Sequence, residues 1–174
     1  MIQIEVLALV LTGIGIMASI LYYASVLRNA NKTQRMQLET RKTQLYMQLF
    51  MRTTSEEFMK LSIELLRWEF DGYDELNEKY LRNPDINVSA KWFSLIRHID
   101  GLGYMMAREL IEAEMVYNLG GGSAQIRHWM RWEPVIMEMR RVRGEPEFLE
   151  WFEYLVKEMM RLRQEKGLEP IPQY

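Results

Sequence analysis

The residues with the most chemical potential lie together in HIDGLGYMMARELI, His98 to Ile111. A histidine and an aspartate two apart are an acid/base pair if they converge, and Gly101-Leu102-Gly103 is the kind of stretch that cradles phosphate. Helical geometry argues against the first reading. Residues two apart on a helix point roughly 200° from one another, so His98 and Asp100 do not meet on one substrate atom or metal. Asp100 instead shares a face with Arg97 and with Tyr104. The second histidine, His128, lies on another segment; a metal site would need both rings completed by Glu109, Glu112 or Glu114. The Glu-x-x-His spacing of di-iron bundles is missing, because Leu95 and Gln125 stand where the carboxylates would be. No metal, cofactor or catalytic residue is therefore assigned.

The glycines lack the context of a nucleotide loop. Gly-Leu-Gly is followed by Tyr104 and Met105, with no third glycine and no preceding strand, and the triple glycine at 120–122 has no Gly-Lys-Ser/Thr after it. The triple glycine is read as a turn between helices. A glycine inside a helix costs about 1 kcal/mol against alanine, usually offset where another backbone comes close. Gly101 and Gly103 are accordingly expected to mark a helix crossing. Arg140, Arg141 and Arg143 suit a helix C-terminus, where the dipole favours cations. The surrounding domain is net acidic, so nucleic acid is not expected as a partner.

The elements that must position these residues follow from composition and periodicity. The chain has 174 residues, no Cys, 14 Met and 5 Trp, with 48% hydrophobic and 26% charged residues. Disulfides, thiolate metal sites and cysteine nucleophiles are excluded. The net charge of -2 hides an asymmetry. No Lys or Arg precedes Arg28, whereas Arg28 to Arg52 carries six basic residues against the single acid Glu39.

Val6 to Leu27, VLALVLTGIGIMASILYYASVL, is uncharged over 22 residues. At about 1.5 Å per residue it is long enough to cross a hydrocarbon core of about 30 Å. With no basic n-region and an apolar run longer than an h-region, it reads as an anchor rather than a cleaved signal. Arg28, Lys32 and Arg35 follow it, placing the N-terminus outside and the remainder in the cytoplasm by the positive-inside rule, with those cations against lipid headgroups. Ala8, Thr12, Gly15 and Ser19 form a small-residue stripe fit for close helix packing in lipid. The same register continues uncharged through Tyr22, Val26, Asn29, Thr33, Met36, Thr40, Thr43, Met47 and Phe50. One long helix with a seam for itself or a protein partner is expected.

Beyond it, apolar residues recur at helical spacing. Thr54 to Glu57 fits a capping box before Phe58, Leu61, Leu65 and Trp68. A short helix over 74–81 ends before Asn83-Pro84. Asn87 is expected to cap a helix bearing Trp92, Ile96, Ile99, Gly103 and Met106. A further short helix spans about 111–119, and Ser123 caps one holding Ile126, Trp129, Met130 and Met137, with Pro134 as a kink. Pro146 suits the first turn of a last helix lined by Phe148, Trp151, Phe152, Leu155, Met159 and Leu162, which Gly167 stops. No segment alternates with period two. The expected organisation is all-α: an anchor over 1–27, a juxtamembrane basic helix over 28–53, a helical bundle over 54–167 and a polar tail over 168–174.

The order of these features resembles a prokaryotic family of membrane-anchored helical proteins catalogued only as a domain of unknown function, DUF4760. The resemblance runs from about Asn31 to Met159 and is most specific in IDGLGYMMARELI, WMRWEPVIMEMR and WFEYL. It implies the same anchored helical architecture and no activity. The expected function is a non-catalytic, membrane-tethered interaction module, an accessory subunit of a membrane complex, with lipid and a protein or a second copy as partners. The alternatives are a metal-dependent enzyme built on His98, His128 and carboxylates, or a sensor of anionic lipid.

Overall fold

Seven α-helices and one π-helical turn, with no strand, account for the ordered elements of the computed structural model, which describes residues 2–120 and 122–172. Met1, Gly121 (the middle of the expected triple-glycine turn), Gln173 and Tyr174 lie outside the described residues. The fold is all-α. The chain divides into two units, 1–44 and 45–174, taken separately below.

The first unit lies within α1, which runs Ile2–Thr53. From Val6 to Leu27 every side chain is exposed, although the run is apolar throughout. The Thr12 hydroxyl donates to the Ala8 carbonyl and the Ser19 hydroxyl to the Gly15 carbonyl, each at 2.8 Å. The stripe's hydroxyls thus satisfy themselves within the helix.

The second unit begins at Leu45, because Leu45 and Leu49 already pack against the core. Its other helices are α2 (Glu56–Leu66), α3 (Gly72–Leu76), α4 (Ile86–Ala107), α5 (Ala113–Gly120), α6 (Ser123–Arg143) and α7 (Glu150–Glu165), with the π turn Asn77–Leu81 after α3. The centre is α4 packed against α7, with α6 against α7 beside it. Each offers an apolar stripe at helical spacing: Trp92, Ile96, Ile99 and Met106 on α4; Trp129, Trp132, Ile136 and Met139 on α6; Phe152, Leu155, Met159 and Leu162 on α7. Met137, expected on the core face of α6, is 37% exposed, and Trp132, Val135 and Met139 take that face.

Several helix starts differ from expectation by one or two residues. The Thr54 hydroxyl donates back to the Phe50 carbonyl at 2.7 Å, and Ser55 is the N-cap of α2, accepting from the Phe58 N–H at 3.2 Å. Asp85 rather than Asn87 caps α4; its carboxylate accepts the Asn87 N–H at 3.0 Å, an Asx geometry that Asn83-Pro84 delivers. Gly122, not Ser123, holds the N-cap position of α6, at φ 67. A Cβ there would lie 2.7 Å from the Tyr117 ring, so the turn between α5 and α6 needs glycine for both conformation and space. Pro146 falls in a turn over 146–149 before α7. Pro134 leaves α6 continuous.

Candidate functional site

The three most specific sequence segments meet at the start of α7. Leu149, at its N-cap position, has φ 60 and no capping side chain, so within the first turn of α7 the Glu150 N–H is met locally by the Glu147 carbonyl at 3.0 Å while the Phe152 N–H needs an acceptor from elsewhere. Asp100 of α4 supplies one from 52 residues away: its carboxylate accepts the Phe152 N–H at 3.0 Å. Asp100 is 8% exposed, and burial holds its carboxyl above the ordinary 3.8, opposed by the hydrogen bonds from Phe152 and Trp151 and by Arg97 and Arg140. Three residues on, Gly103 admits α7 itself. A Cβ on Gly103 would sit 1.9 Å from the Trp151 carbonyl oxygen. From α6, Arg140 donates Nε to the Phe148 carbonyl at 2.9 Å and pairs with Glu153 at 2.8 Å. Asp100, Gly103 and Arg140 therefore seat one helix end from two sides.

Gly101 is not part of this crossing. A Cβ there would meet nothing within 4 Å. Two residues round the helix from Gly103, it points away from α7.

The histidines are brought to one face of α2. Phe58 meets the His98 ring edge-on with centroids 5.0 Å apart, and one turn later the Ser62 hydroxyl lies 2.8 Å from His128 Nε2. Ser62 went unnoticed in the sequence; its i+4 spacing from Phe58 is the signal, legible only once α4 and α6 are known to flank α2. A serine hydroxyl on an imidazole nitrogen is the contact of a nucleophile with its base. Here the other nitrogen, Nδ1, is buried without an orienting partner and His128 is 2% exposed. Burial lowers the pKa of both rings to about 4, with the Arg52 charge adding to the effect on His98. The pair forms a hydrogen bond between α2 and α6.

Several of the other charged residues singled out in the sequence have partners. Glu114 pairs with Lys166 at 3.1 Å, Arg141 with Glu138 at 2.5 Å, and Arg143 lies over the Phe148 ring at 5.0 Å. Glu109 sits in a turn at φ 55. Among the described residues no three His, Asp or Glu side chains gather as a metal would require.

A family model described as Domain of unknown function (DUF4760) matches residues 4–159. The chain belongs to this family. No curated protein and no solved structure matches it. The DUF4760 match takes in the exposed apolar run of α1, which is long and apolar enough to be a candidate membrane span. It also takes in every residue of the α7 seat, from Asp100 to Glu153, and stops before the segment that follows α7. Within the span lie Ala8, Thr12, Gly15 and Ser19, all exposed; Arg28, Lys32 and Arg35 follow, exposed as well.

Proposed function

We propose that this chain is a non-catalytic, membrane-tethered helical interaction module, acting as an accessory subunit of a membrane protein complex. The reading is carried by α1. Its apolar run buries none of its own side chains, so lipid or a protein partner must cover it. The stripe Ala8, Thr12, Gly15 and Ser19 lets a second helix approach to backbone contact, which is how helices associate where lipid removes the hydrophobic drive. In the bundle unit, Met47 and Phe50 are 47% and 41% exposed, while Leu45 and Leu49 pack on the core. The tethered bundle then presents α1 and its own outer faces to that partner.

Arg28, Lys32 and Arg35 orient the anchor, with the bundle on the cytoplasmic side of the cell membrane, and each contributes about 1 kcal/mol of attraction to anionic headgroups. The non-catalytic part of the reading is supported by how its reactive groups are used: Asp100 caps a helix, and the Ser62–His128 contact joins two.

Chemical crosslinking followed by mass spectrometry in native membranes tests the proposal. The expected result is crosslinks from the α1 region to a second copy or to one recurrent membrane protein. Recovery of crosslinks only within a single chain would overturn it.

A further inference from the structure

The segment after α7 crosses the face of α6 as a strap. The Glu169 carbonyl accepts from Arg163 at 2.6 Å, and Ile171 packs, partly buried, against the core. The strap fills only part of what it crosses. On one side a cavity of about 650 Å³ opens between α6 and α7, floored by Ile126, Trp129, Val156 and Met160. On the other, a cavity of about 680 Å³ lies over Leu66, Arg127, Met130 and Pro134. Met130 and Glu133 line both, so the two are one groove divided by Pro170 to Pro172.

Two donors in this groove are unspent. Arg163, in the first cavity, donates Nη2 to the Glu169 carbonyl and Arg131, in the second, donates Nη2 to the Trp68 carbonyl, yet each keeps a buried Nε–H with no acceptor. The strap fits loosely: neither Nε–H finds an acceptor on it, and Leu168 remains 46% exposed. Across the two cavities the basic lining residues Arg127, Arg131, Lys157 and Arg163 outnumber the acidic Glu133 and Glu153.

We propose that this groove is a peptide-binding site, held in cis by the Leu168–Pro172 strap and filled in its working state by an extended segment of a partner protein. The strap shows what backbone the groove accepts: extended, with an aliphatic side chain at the place of Ile171. The unspent guanidinium donors and the basic excess add an acidic residue beside it. The strap is then a tethered competitor, tuning access by its own modest fit. The site is on α6 and α7 and does not depend on how α1 pairs.

The test uses the full chain in detergent and a fluorescein-labelled peptide Leu-Glu-Pro-Ile-Pro, followed by anisotropy. Ile171→Asp in the chain releases the strap, so the peptide is expected to bind that variant at least tenfold more tightly than the wild type, and less tightly as salt rises. The same peptide with its Ile replaced by Asp is expected not to bind. Because this control alters the probe, it is independent of any folding effect in the protein. Absence of binding to the Ile171→Asp chain, or equal binding of both peptides, overturns the proposal. A wild-type dimer that Ile171→Asp dissolves would mean that a second copy's strap fills the groove, and would overturn the partner assignment.

Discussion

At the scale of single residues, the segment from His98 to Ile111 gives two residues a role at the start of α7 and a neighbouring glycine none. Gly103 yields to the Trp151 carbonyl, Asp100 caps α7, and Gly101 does neither. The two glycines therefore respond oppositely to the same change. Gly103→Ala forces the helices apart and is expected to cost about 3 kcal/mol or more. Gly101→Ala, in open space within α4, is expected to stabilise by up to about 1 kcal/mol through helix propensity. Urea unfolding of the two variants side by side checks the pair. Asp100→Ala removes the only side-chain acceptor described at the start of α7 and is expected to cost about 1–2 kcal/mol, read in the same way. The sequence showed that His98 and Asp100 diverge, because that follows from helical pitch alone. Spacing also sets Gly103, in the register of Ile96, Ile99 and Met106, apart from Gly101, but it did not show that the backbone met there is α7, which lies some fifty residues away.

At the scale of elements, periodicity located all the main helices, while their ends were set by competition between neighbouring side chains. Thr54 and Ser55 are both cap-forming types, serine the better, and the Thr54 hydroxyl is in addition taken by the Phe50 carbonyl at the end of α1. Ser55→Ala is therefore expected to destabilise by about 1 kcal/mol and Thr54→Ala by much less, measured by thermal unfolding of each. Likewise Asn83-Pro84 gave the stop before α4, but the Asx turn made by Asp85 fixed its first residue. The start of α7 was the least legible: Pro146 signalled a first turn, whereas the capping group lies 52 residues away on α4. Long-range caps leave no local trace in sequence.

At the scale of the whole molecule, two properties follow from burial. The first is acid sensitivity. Folded, His98 and His128 take protons only near pH 4; unfolded, they do so near 6.5. Between these values the unfolded chain binds more protons, so stability falls as pH drops through that window, by about 1.4 kcal/mol per pH unit for each ring at most. The raised Asp100 carboxyl acts in the opposite sense just above 3.8. His128→Gln is expected to flatten the dependence by about one proton, seen in urea unfolding at a series of pH values. The second property is the exposed apolar length of α1, a candidate membrane span. Tyr22 and Tyr23 are 66% and 65% exposed and differ mainly in bearing around the helix, Tyr22 lying in the register of Ser19. A benzophenone amino acid placed at each in turn, then irradiated in native membranes, reports what covers each side. Pairing along the small-residue stripe predicts protein adducts from position 22 and lipid adducts from position 23; lipid adducts alone from both, or equal protein adducts from both, would contradict it.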